Sequence, residues 1–163
     1  MAENVFDFAL EFEEEHQSFY EDMIEKTENE GLKKVFSDLL EQEKKHVEIV
    51  KQLKQEKKVE YVESNILPRA KKAFKEISSD LPDNVLPDDQ VDIYKKAREM
   101  EQRTYDFYSE KAEKAELKYV KEAFKQLARE EKKHENIMNN LVDFVDKPNT
   151  WLDDAEWYHI EDY

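Results

Sequence analysis

Apolar side chains recur at three- and four-residue intervals through most of the chain, the spacing that gathers them on one face of an α-helix. The pattern predicts helices from Asn4 to about Lys26, from Leu32 to about Lys57, from Asp89 to about Lys114 and from Lys118 to about Val145. Gly31 stands beside the first turn of the second, and Asp88 or Asp89 is a candidate N-cap for the third. Only a few residues separate the members of each pair, so residues 1–57 and 89–147 read as two helical hairpins. Between them, residues 58–88 form a connection punctuated by Pro68, Pro82 and Pro87, in which Arg69 to Ile77 has the pattern of a short helix. Beyond Pro148, residues 148–163 form a tail in which Trp151, Trp157, Tyr158, Ile160 and Tyr163 suit an amphipathic lid on the bundle or on a neighbouring subunit, with His159 at its surface. The expectation is one all-α domain over 1–163, a four-helix bundle with a short tail helix. A single Gly and four Pro in 163 residues agree, because strand-and-turn architectures need more of both.

The hairpins resemble each other. Glu41 to His46 (EQEKKH) returns as Arg129 to His134 (REEKKH), an offset of 88 residues. The same shift aligns Ala9 with Ala97, Glu13 with Glu101, Phe19 and Tyr20 with Phe107 and Tyr108, Phe36 with Phe124 and Leu39 with Leu127. Two copies of one hairpin explain this most simply.

Helical geometry then sorts the glutamates. At roughly 100° per residue, Glu13 shares its face with Phe6, Ala9, His16, Tyr20 and Met23, whereas Glu11 points nearly opposite and Glu14 and Glu15 lie off that face. Glu101 falls among Ala97, Thr104, Tyr108 and Ala112, with Glu99 toward solvent. Glu43 falls with Phe36, Leu39, His46 and Val50, and Glu131 with Phe124, Leu127, His134 and Met138. Each helix thus buries one carboxylate, and two helices add a histidine one turn on. Any one of these acids alone would be read as part of a solvated face. Four together in a core would cost several kcal/mol each unless protonated or neutralised. Two divalent cations cancel four carboxylate charges, and neutral imidazoles complete their coordination.

Composition narrows the chemistry further. Without cysteine there is no disulfide, zinc–thiolate or iron–sulfur site, so a metal must sit on oxygen and nitrogen. A formal charge of −15 disfavours nucleic acid and favours cations near the surface. No apolar run is long enough to span a bilayer, and the acidic start is unlike a secretory signal, so no membrane association and a cytoplasmic location are expected.

At Glu13 with Phe19-Tyr20, Glu43-x-x-His46, Glu101 with Phe107-Tyr108, and Glu131-x-x-His134, the sequence resembles the rubrerythrin-like branch of the ferritin-like di-iron carboxylate proteins. A lone Glu-x-x-His is common in acidic helices; the coincidence of all four motifs across both halves is not. The resemblance implies a ferritin-like bundle in which 58–88 is an overhand crossover. It also implies two iron ions, with manganese or a mixed pair as variants, bridged by Glu43 and Glu131. Glu13 and Glu101 would be terminal ligands, and His46 and His134 would each bind one ion. Tyr20 and Tyr108 would hydrogen-bond ligand carboxylates, although the residues alone also allow plain aromatic core there. His16 makes a third Glu-x-x-His, but its repeat partner is Thr104, so it is expected beside the ligands as a hydrogen-bonded or core residue.

Two departures bear on function. Classical rubrerythrins carry an additional glutamate five residues before the third-helix tyrosine, where this chain has Arg103, and they carry a rubredoxin module that a cysteine-free chain lacks. The expected activity is therefore a di-iron oxidoreductase that reduces peroxide or dioxygen with electrons from a separate donor such as a rubredoxin-like protein, acting as a homodimer. The alternative is a ferroxidase or iron-storage protein, which would need a closed shell of many copies.

Overall fold

A computed structural model describes residues 4–60, 63–80 and 90–146. The tail and the prolines at 82 and 87 lie outside these residues, as does the candidate cap at 88–89. Among the described residues there are five helices and no strand: α1 (Val5–Lys26), α2 (Glu30–Lys54), α3 (Ile66–Asp80), α4 (Gln90–Lys114) and α5 (Lys118–Asp146). None is long and apolar enough to cross a membrane.

Asparagine side chains cap the first two helices. Asn4 Oδ1 accepts from the Phe6 amide at 2.8 Å and Asn29 Oδ1 from the Leu32 amide at 3.0 Å, satisfying amides that have no partner within the helix. The cap at Asn29 starts α2 two residues before the expected Leu32 and takes Gly31 into its first turn. At its other end α2 stops at Lys54, short of Lys57. Glu56 turns left-handed (φ 60°), and the Lys57 amide reaches back to the Gln52 carbonyl at 3.0 Å, a reversal that ends the helix. α3 begins upstream of Pro68, which occupies the first turn, where a missing N–H costs nothing.

α1 packs chiefly on α2, and α4 on α5. The core has three layers. A first apolar cluster contains Tyr20, Phe36, Leu39, Tyr94, Met138 and Leu141, to which α3 adds Ile66, Ala70, Phe74 and Ile77. A second contains Ala9, Val50, Leu53, Tyr108, Phe124 and Leu127. α1 and α5 run from the second cluster to the first, and α2 and α4 run the other way. On each of these four helices buried polar residues lie between the clusters: Glu13 and His16, Glu43 and His46, Glu101 and Thr104, Glu131 and His134.

Gly31 shows how tightly α3 seats on α2. An alanine Cβ there would overlap Ile77 Cγ1 and approach Cδ1 to 2.7 Å. Gly31→Ala should therefore destabilise, because overpacking of about 1–3 kcal/mol exceeds the roughly 1 kcal/mol that alanine returns in helix propensity. In an Ile77→Ala background the same change should be neutral or stabilising. Urea unfolding of the four proteins checks this, and strict additivity of the two substitutions would show that α3 does not rest on this turn.

Candidate metal centre

The middle layer is closed to solvent. Glu13, Glu43, Glu101, Glu131, His16 and His134 have no accessible surface, and His46 is 1% exposed. The solvent side of the same helices holds Glu11, Glu14, Glu15 and Glu99, all exposed. These acids interleave with the buried ones, so the rotational setting of each helix decides which carboxylates enter the core.

Contacts in this layer come in pairs related by the 88-residue offset. Tyr20 donates to Glu101 Oε1 at 2.6 Å, and Tyr108 to Glu13 Oε1 at 2.7 Å. His46 Nδ1 lies 2.9 Å from Glu131 Oε1, and His134 Nδ1 lies 2.8 Å from Glu43 Oε1. The two imidazoles stand nearly parallel, with centroids 5.5 Å apart. Two positions meet their own counterparts: Arg103 bonds Glu15 at 3.3 Å on the surface, and His16 Nε2 lies 2.9 Å from Thr104 Oγ1 in the core. Those two pairs lie where an internal two-fold axis would pass.

Two sets of atoms in this layer lie close enough together to hold a cation. One comprises Glu13, Glu43, His46 and Glu131, the other His16, Glu43, Glu101 and Glu131, each with ligand atoms within 4.8 Å of one another. Glu43 and Glu131 belong to both. His134 faces the second set, with Nδ1 3.7 Å from Glu101 Oε2 and 3.8 Å from Glu131 Oε2. One oxygen of each of the four carboxylates (Glu13, Glu43, Glu101 and Glu131 Oε2) and His16 Nδ1 are buried without a hydrogen-bond partner. Unpartnered buried polar atoms are rare and costly, and cations held by the two sets would satisfy these five, while His46 Nε2 and His134 Nε2 are buried without a partner as well.

The protons of this layer follow from its geometry. Burial, with the nearby charge of Glu43, pushes Glu13 up to about 7, and burial with three other carboxylates holds Glu131 well above the ordinary range. Burial opposes ionisation of Glu43 and Glu101 too, but His16 and His134 outweigh it and hold both below their usual values. Burial also opposes the imidazolium forms, yet the facing carboxylates raise His16 to about 10, His134 to about 9 and His46 well above its ordinary value. Tyr20 and Tyr108 are pushed far up by burial and remain donors.

Arg103 lies exposed at the surface, outside the layer. Sequence reading did not anticipate Lys133, 4% exposed, which binds Glu130 Oε2 at 2.6 Å and reaches Glu63 at 3.1 Å and the Ser64 carbonyl at 3.3 Å. Through Lys133 the pair ties Glu63 and Ser64 to α5, next to His134 in sequence. In sequence it is indistinguishable from a solvated charge run, since its repeat counterparts Gln42 and Lys45 are partly and fully exposed.

In the metal-free protein the raised groups bind more protons folded than unfolded. Glu13 therefore removes stability as pH climbs from about 4.5 to about 7, and His16 and His134 remove more from about 6.5 to 9 and above. The depressed Glu43 and Glu101 act oppositely, and only below about 4.5. Metal-free protein should melt highest near pH 5 and progressively lower toward pH 9. Glu13→Gln should flatten the part of the fall below pH 7; an unchanged pH profile would place Glu13 in solvent.

The family model for rubrerythrin matches residues 4–142, with a second, overlapping match at 92–157. Neither the search of curated proteins nor that of solved structures returned a match. With the match covering most of the chain, and with buried Glu/His sets in the middle of an all-helical fold, the chain belongs to the rubrerythrin family.

Proposed function

We propose that the protein is a non-haem di-iron oxidoreductase that reduces peroxide, or dioxygen, at a centre held by Glu13, Glu43, His46, Glu101, Glu131 and His134. The observation that carries the reading is the pair of buried donor sets sharing Glu43 and Glu131. The shared carboxylates would serve both ions, Glu13 and Glu101 would each serve one, and His46 and His134 would complete one ion each. Two divalent ions match four carboxylates in charge, and a manganese or mixed pair would suit the same donors. With this goes the architecture of a ferritin-like bundle, two repeated hairpins joined by 58–88 as a crossover.

Two ferrous ions bound there would supply one electron each to a peroxide, which with two protons leaves as two waters. The chain's part is to orient and to exclude water. Tyr20 and Tyr108 keep their protons and hold Glu101 and Glu13 by one oxygen, leaving the other free. The apolar clusters on either side keep competing water out. Arg103 supplies no additional carboxylate, so turnover proceeds on this fixed donor set. Electrons return from a separate donor such as a rubredoxin-like protein, and the working unit is a homodimer.

Protein loaded anaerobically should hold two ferrous ions per chain, melt higher than metal-free protein at pH 7, and show a rapid spectral change on mixing with peroxide. His46→Ala and His134→Ala should each release one ion and lower peroxide turnover by more than the roughly tenfold to hundredfold typical of residues that only support ligands. Glu11→Gln should leave both unchanged. Two irons and full turnover in both histidine variants would contradict the assignment. Uptake of many irons per chain into a closed multi-subunit shell would favour storage.

A further inference from the structure

His16 is not among the six proposed ligands, yet its ring is oriented as a ligand would be and it belongs to the second donor set. Its Nδ1 is fully buried without a hydrogen-bond partner and lies 3.3 Å from Glu43 Oε2, 3.5 Å from Glu101 Oε1 and 3.6 Å from Glu131 Oε2. His134 Nδ1 faces the same three carboxylates. His46, on the other side, faces Glu13, Glu43 and Glu131 without a second imidazole.

The opposite nitrogen explains the orientation. A threonine hydroxyl has one proton, and Thr104 donates it to the Met100 carbonyl at 3.0 Å, one turn back along α4. Toward His16 Nε2, 2.9 Å away, Thr104 Oγ1 can therefore only accept. His16 must carry a proton on Nε2, and in a neutral imidazole that leaves the Nδ1 lone pair directed at Glu43, Glu101 and Glu131. Metal-binding histidines are held in the same way, by an acceptor on the ring nitrogen remote from the ion.

We infer that His16 is a seventh protein ligand, held in its ligating tautomer by Thr104 as a positioning residue, so that the centre is asymmetric: the position at Glu101 has two imidazoles and the position at Glu13 has one. This rests on the two-metal reading above. His16 and Thr104 occupy equivalent places in the two halves and meet each other, so one half supplies the imidazole and the other the hydroxyl that holds it. Nitrogen donors strengthen binding of later first-row ions relative to carboxylate alone, so the two positions differ in affinity and in electronic environment.

Anaerobic titration of the full chain with ferrous ion tests this. Wild-type protein should bind two ions in distinguishable steps. His16→Ala should weaken one ion by more than roughly a hundredfold and leave the other nearly unchanged. Thr104→Val, close to isosteric, should weaken that same ion by roughly tenfold to hundredfold, with Thr104→Ser restoring it. Mössbauer spectra of iron-57 protein add a readout that general loosening does not mimic: two unlike doublets in the wild type, converging in His16→Thr, where both halves carry threonine. Wild-type affinities in His16→Ala and Thr104→Val with unchanged doublets would overturn the inference and leave the two-metal reading intact. A wild-type chain that binds no ferrous ion would overturn both. Should His16→Ala fail to fold, Thr104→Val and the doublets decide.

Discussion

The constraint on which the fold turns is the burial of four carboxylates in one layer closed to solvent. A single uncompensated carboxylate in such surroundings costs several kcal/mol, and four would exceed the margin by which a domain of this size is stable. Three imidazoles and two tyrosine hydroxyls from the same layer divide that cost, and they leave one oxygen of each acid unpartnered. The rest of the core serves this arrangement. Apolar clusters on both sides keep the layer closed, Tyr20 stacks on Phe36 and Tyr108 packs near Phe124, so that each hydroxyl is presented by a ring anchored in hydrocarbon.

The 88-residue relation makes this economical. Tyr20 with Glu101 and Tyr108 with Glu13 are one contact made twice, as are His46 with Glu131 and His134 with Glu43. Duplication has a limit on the axis, where a residue meets its own counterpart. There Glu15 meets Arg103 and His16 meets Thr104, so at these two positions the halves differ. Arg103, which departs from the classical glutamate, and His16 thus both stand at positions that meet their own repeat counterparts.

How far the site could be read from sequence depended on periodicity. Choosing Glu13 over Glu11, Glu14 and Glu15 needed only the angle between successive residues, and the exposed neighbours agree. The limits of α2 were less readable, since Asn29 and Glu56 act through a side-chain cap and a left-handed turn that leave no periodic trace. The direction of the His16 ring depends on where a threonine on another helix sends its proton, which no pattern within α1 records. Lys133 pairs with Glu130 and reaches Glu63 and Ser64, and a connection without apolar period gives no warning of what it contacts.

On the proposed reading, the middle layer holds two metal ions between Glu43 and Glu131. A crystal of iron-loaded protein, measured on both sides of the iron absorption edge, tests it most directly. Two anomalous peaks per chain are expected, about 3.5–4 Å apart, each beside oxygens of Glu43 and Glu131, one near Glu13 and the other near Glu101. Iron found only at surface acids, or an ordered middle layer with no anomalous signal from a loaded crystal, would contradict it.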